Sequence, residues 1–151
     1  MRIREFRGKD PVNGKWRLGD YIHYTGGDIG IREREGEGER TIVSDGKVIP
    51  ETVGQFTGAI DCEINKIYEY DFVVFVEGGK IPKIVLRSRN SPEFRLYSCA
   101  LEGFNVGYSY ELKFYDSREA YKVVGNIFDN PELIQNEVYE RLMEMIKNDD
   151  T

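Results

Sequence analysis

The chain has 151 residues, of which 40% are hydrophobic and 32% charged, with a formal net charge of −6. That length suits one domain or two small subdomains sharing a core, and no window nears the roughly 18 apolar residues of a membrane span. The acidity works against loose, sequence-independent binding to nucleic acid, which depends on Lys and Arg neutralising phosphates.

Ten Tyr, eight Phe and 16 Gly favour short strands and tight turns over long helices. The opening MRIREFRGKD lacks the apolar core of a signal peptide, so the expected compartment is the cytoplasm. Cys62 and Cys99 are too few for a disulfide framework and lack zinc spacing, which makes them two reduced thiols.

In chain order, Arg2 to Arg7 and Trp16 to Tyr24 read as a first strand pair. Asn13-Gly14 suits the positive φ angles of a two-residue hairpin between them. Asp28 to Arg40 carries charges of both signs and reads as a solvated hairpin tip. Thr41-Ile42-Val43 returns as strand, Ser44-Asp45-Gly46 turns, and Lys47-Val48-Ile49 leads onward. Pro50 ends that strand because it has no N–H to donate. Glu51 to Val53 then forms a single helical or 3₁₀ turn, Gly54 to Thr57 is strand, and Gly58 to Lys66 is a loop. Ile67 to Val76 is the most β-prone run, with Phe72 to Val76 buried on both faces.

Gly78-Gly79 turns the chain into Ile81 to Arg87, where Pro82 implies an edge position or a bulge. Ser88 to Pro92 is a further turn, and Phe94 to Tyr97 and Tyr108 to Tyr115 alternate as strands. Tyr121 to Phe128 is the last strand, broken by a bulge at Gly125. Asn130 is placed to cap a helix that starts at Pro131 and runs to about Lys147. Leu133, Ile134, Val138, Leu142, Met145 and Ile146 form its apolar stripe. The fold class is therefore mainly β (α+β by content), with eight or more strands and one C-terminal α-helix.

Three blocks carry a family resemblance. The first is Phe6 to Lys9 with Trp16 and Gly19. The second is Val48, Ile49, Pro50, Glu51, Thr52, Val53, Gly54, Gln55, Phe56, Thr57 and Gly58, then Asp61, Ile67, Tyr68, Glu69 and Asp71. The third is Gly125, Asn126 and Ile127 to Asn130, then Pro131 to Leu133. In this order they resemble the signature of the YopX-like family of small bacteriophage and prophage proteins. Two departures stand out: the family has a Gly-containing turn where Cys62 to Asn65 stands, and Gly where Tyr70 stands. The resemblance implies a single domain over 1–151, with two intertwined β subdomains (about 1–66 and 67–130) and helix 131–147. It also implies a small barrel of Src-homology-3 type with additional antiparallel strands, and no established biochemical activity.

Enzyme chemistry finds little support in the residues. Asp61, Glu69 and Asp71 would have to converge to hold magnesium in a metal-dependent hydrolase. The favoured reading has Thr52, Gln55 and Asp71 satisfying buried backbone groups at turns. His23 is the single histidine, with no nucleophile elbow to serve. Gly26-Gly27 and the glycines of Gly36 to Gly38 have no phosphate-binding context. No catalytic, cofactor or metal residue is assigned. Arg87, Arg89 and Arg95 with Phe94, Tyr97 and Tyr108 form the best candidate nucleic-acid face, through stacking plus phosphate contacts. The leading expectation is a non-enzymatic accessory protein that self-associates and works through a phage or host protein partner, away from membranes; a nucleic-acid-associated regulator is the alternative.

Overall fold

The computed structural model describes residues 5–88, 91–99, 109–112 and 117–149. The chain divides into two compact units, Met1–Phe56 and Thr57–Thr151. Eleven strands among the described residues form two antiparallel sheets, ordered β4-β3-β2-β1-β5-β6 and β10-β9-β8-β7-β11.

The first unit holds β1 (Phe6–Lys9), β2 (Trp16–His23), β3 (Ile29–Glu35), β4 (Ile42–Lys47) and the start of β5 (Gly54–Ile60). β1 lies between β2 and β5, pairing Phe6 with Gly19 on one side and with Gln55 on the other. The β1–β2 connection is longer than a two-residue hairpin. Asp10 N–H reaches the Lys15 carbonyl, and the Asp10 carboxylate accepts the Val12 N–H at 2.8 Å. Asp10 and Asn13-Gly14 share the turn: Gly14 takes the expected positive φ of +69° and donates its N–H to the Asp10 carbonyl, while the Asn13 side chain accepts the Lys15 N–H at 2.9 Å. The Val12 N–H, and after it the Arg17 guanidinium, hold the Asp10 carboxyl below its ordinary range against the opposing effect of burial.

The mixed charges of the third strand lie within a paired ladder, with the tip confined to a 3₁₀ turn at Gly38–Arg40. Arg32 stands opposite Asp45 and holds its carboxylate with two bonds of 2.7 and 2.9 Å. Ser44-Asp45-Gly46 is consequently not a turn: β4 runs straight through it. The Arg17 guanidinium lies over Gly46, where a Cβ would meet it at 2.2 Å, so the glycine is there for a close approach. Pro50–Thr52 forms the expected 3₁₀ turn before β5.

β5 continues to Ile60, further than its sequence suggests, with Gly58 at φ +92° inside the strand. The second unit then adds β6 (Lys66–Tyr68), β7 (Asp71–Phe75), β8 (Lys83–Arg87), β9 (Phe94–Ser98), β10 (Ser109–Glu111), α1 (Ser117–Ala120), β11 (Tyr121–Asn126) and α2 (Asn136–Asp149). The β-prone run from Ile67 is cut in two at Tyr70, whose φ is +76°. Pro82 lies just outside β8, which is an interior strand, so neither an edge nor a bulge is needed. Most of Tyr108 to Tyr115 falls outside the described residues.

The second sheet buries both faces. Phe72, Ile84, Leu86 and Tyr97 pack with Val138, Leu142, Met145 and Ile146 of α2. On the opposite face Val73, Val85, Phe94 and Leu96 pack with Ala59, Ile67, Leu112 and Tyr121. Each fully buried large side chain contributes about 1.5–3 kcal/mol, so these two layers dominate the unit's stability.

The register shifts between Val123 and Gly125, as a bulge requires. The helix, however, begins later than Pro131. Pro131–Leu133 is a 3₁₀ turn without a side-chain cap, and Ile134 is extended before α2 starts at Asn136. Asn130 points back into the strand end, accepting the Asn126 N–H at 3.1 Å. Leu133 is 39% exposed and leaves the stripe, whereas Ile134, Val138, Leu142, Met145 and Ile146 are buried.

Candidate functional site

The signature residues are best understood from the loop that follows β5. Asp61 is completely buried, and both of its oxygens are occupied. Oδ1 accepts the Glu63 and Asn65 N–H groups at 2.9 and 2.8 Å. Oδ2 accepts the Val123 N–H at 2.8 Å and the Asn65 side-chain amide at 3.4 Å. Cys62 N–H also reaches the Tyr121 carbonyl, so this loop lies along β11, an edge strand of its sheet. One carboxylate thus closes a turn and covers a sheet edge.

Asp71 repeats the arrangement in the next turn. It is 1% exposed and accepts the Tyr68 N–H at 2.7 Å, with Glu69 half-buried between them. Thr57 donates to the Ile67 carbonyl at 2.7 Å and accepts the Ala59 N–H at 3.2 Å, spanning Gly58. Thr52 accepts the Lys9 N–H at 2.9 Å and donates to the Ile49 carbonyl, which fastens the Pro50 turn to β1. Asn126 accepts the Phe128 and Asp129 N–H groups and donates to the Asp129 carboxylate. Trp16 lies under the Arg7 guanidinium at 4.5 Å and the Lys9 ammonium at 5.4 Å. Gly54 and Phe56 are buried, Gln55 is half-buried, and Glu51 and Pro50 are exposed.

The two departures from the resembled pattern fall where, among the described residues, non-glycine side chains take positive φ, Ile64 (+66°) and Tyr70 (+76°). A side chain in that region costs about 1–2 kcal/mol, and a β-branched one is the least suited. Ile64 is 66% exposed, so little packing offsets the cost. Ile64→Gly is therefore expected to stabilise the protein by about 1 kcal/mol in urea unfolding. Tyr70→Gly is not, because the Tyr70 ring packs edge-on against Phe128 at 5.3 Å.

Of the candidate nucleic-acid residues that are described, Arg87 lies over the Phe94 ring at 5.4 Å, and Arg95 is on the other face of the sheet. Leu86 pairs with Arg95 and Arg87 with Phe94, so Arg95 shares the α2 face with Leu86 while Arg87 shares the opposite face with Phe94. Tyr97 is 8% exposed within the α2 core and offers no open ring face to a base. Arg89 and Tyr108 lie outside the described residues.

No group of three or more His, Cys, Asp or Glu side chains among the described residues is placed to hold a metal ion. His23 is exposed, with its ring edge-on to Tyr21 at 4.9 Å. Cys62 is exposed, whereas burial pushes the Cys99 thiol up to about 12. Sequence reasoning missed Lys83, a buried residue whose ammonium lies 4.2 Å from the Phe75 ring and donates to the Ile81 carbonyl. Desolvation lowers its pKa from the ordinary lysine value. An open cleft of about 330 Å³, lined by Phe75, Glu77, Glu119 and Ala120, has no signature residue among these. No helix among the described residues is long and apolar enough to cross a membrane.

Buried Asp, Thr and Asn side chains that pin the loops of two antiparallel sheets define a β-rich protein with a loop-fastening signature. The chain belongs to the YopX protein family, which matches residues 5–135 and so ends just before α2. No curated protein matches the chain. Among solved structures it is similar in fold to the crystal structure of protein EF1440 from Enterococcus faecalis. The TM-score is 0.55 at 17% identity, covering 89% of this chain and 100% of that one.

Proposed function

We propose that this protein is a non-enzymatic binding or assembly module of phage or prophage origin, working in the cytoplasm of a bacterial host as a homo-oligomer and through a protein partner. The observation that carries this reading is where the signature's polar groups point. Asp61, Asp71, Thr52, Thr57 and Asn126 all turn onto backbone groups of their own chain. Carboxylate lone pairs already filled by N–H donors are poor metal ligands. The phage setting comes from the family resemblance. The small barrel of Src-homology-3 type belongs to the same proposal: it is supported by the run of β1 to β4 as neighbours, with β5 returning to β1.

The test is a panel of phosphoester, ester and peptide substrates with Mg²⁺, Mn²⁺ or Ca²⁺. The expected outcome is no turnover above buffer and no metal-induced rise in melting temperature. Turnover that disappears in Asp71→Asn would overturn the proposal.

A further inference from the structure

Among the described residues, β4 is an edge strand with no other strand paired to its outer side. Its residues are exposed apart from a half-buried Gly46, with Ile42 at 68% and Val43 at 47%. The bond from Val48 N–H to the Ile29 carbonyl sets the phase of the β3–β4 ladder. Hydrogen-bonded pairs alternate from there, so Gly46, Ser44 and Ile42 bond inward to β3. Val43, Asp45 and Lys47 therefore aim their N–H and C=O groups outward. The strand carries neither proline nor bulge, the usual devices that blunt an edge.

We propose that β4 is a self-pairing edge, joined antiparallel to β4 of a second copy about a two-fold axis through Ser44. This inference rests on the assembly reading above and names its surface. Three observations favour a second copy as occupant. The two-fold at Ser44 uses the whole strand, pairing Val43 with Asp45 of the second copy in both directions and Ser44 with itself. It lays the exposed Ile42 opposite Gly46, which has no side chain, and keeps Asp45 from facing Asp45. The charges along the edge are already neutralised within each chain, Asp45 by Arg32 and Lys47 by Asp28, so the net charge of −6 does not concentrate there. Hydrogen bonding with Arg32 keeps the Asp45 carboxyl ionised, its pKa below the ordinary value. Such an interface is isologous and closes at two copies.

The experiment combines light scattering with a cross-link. Wild type is expected at twice the chain mass, and Val43→Pro at once the chain mass with an unchanged circular dichroism spectrum, because the Val43 N–H is not used within the chain. In a Cys62→Ser background, Ser44→Cys is expected to form a disulfide-linked dimer on mild oxidation, since a non-hydrogen-bonded pair brings the two Cα atoms to about 4.5 Å. A dimer that survives Val43→Pro with no Ser44→Cys cross-link would overturn the edge while leaving assembly intact. A wild-type monomer with no cross-link would overturn both. Should Val43→Pro fail to fold, the cross-link alone decides.

Discussion

Replacing Asp61 by Ala should destabilise the second unit by about 3 kcal/mol or more, read as a drop in the urea midpoint followed by circular dichroism. The substitution removes the acceptor for three backbone N–H groups, those of Glu63, Asn65 and Val123. Each buried donor left unsatisfied costs about 1–3 kcal/mol. Water can reach Glu63 and Asn65, which are exposed, so Val123 should bear most of the penalty. Asp61→Asn keeps one acceptor oxygen but turns an amide toward donors, and should lie between wild type and Ala. A loss under about 1 kcal/mol for Asp61→Ala would mean that the loop is held by other contacts.

Gly19→Ala should be comparably severe in the first unit, at about 3 kcal/mol or more. A Cβ on Gly19 would stand 2.0 Å from the Arg32 carbonyl oxygen and 2.9 Å from its carbon. The obstacle is backbone and not a flexible side-chain end, so β2 and β3 would have to separate. The φ of +155° adds a conformation that alanine seldom adopts. Trp16, the single tryptophan, lies three residues earlier in β2 under Arg7 and reports the loss by fluorescence. A Gly19→Ala protein with wild-type fluorescence and an unchanged midpoint would show that the strands can give.

Both variants touch residues that the sequence marks, yet their roles are long-range. The Asp61 carboxylate meets Val123 across 62 residues, a separation that no local pattern encodes. Glu63 and Asn65, by contrast, lie two and four residues on and form an Asx-type turn that could have been anticipated. The same division runs through the fold. Pro50, the Gly125 bulge and the α2 stripe were legible because proline chemistry, an interrupted β pattern and helical spacing act over a few residues. Ser44-Asp45-Gly46 misleads because its glycine answers to Arg17 in another strand. Asn130 misleads because its side chain accepts the Asn126 N–H ahead of it and not a helix N–H behind. Arg87 and Arg95 part for a related reason: proximity in sequence does not reveal that the register sends them to opposite sides. The resemblance carried more than composition could, since the glycines it implies at the Cys62–Asn65 turn and at Tyr70 coincide with the positive φ of Ile64 and Tyr70.

Amide hydrogen exchange at Glu63, Asn65, Tyr68 and Val123, with and without Mg²⁺ or Mn²⁺, addresses the role of the two buried aspartates directly. If Asp61 and Asp71 serve as fasteners, these four amides exchange slowly, those of Tyr68 and Val123 near the global unfolding limit, and divalent ions leave the rates unchanged. Rapid exchange at Tyr68 and Val123, or release of the four amides when the ion is added, would mean that the carboxylates are available for chemistry, contrary to this account.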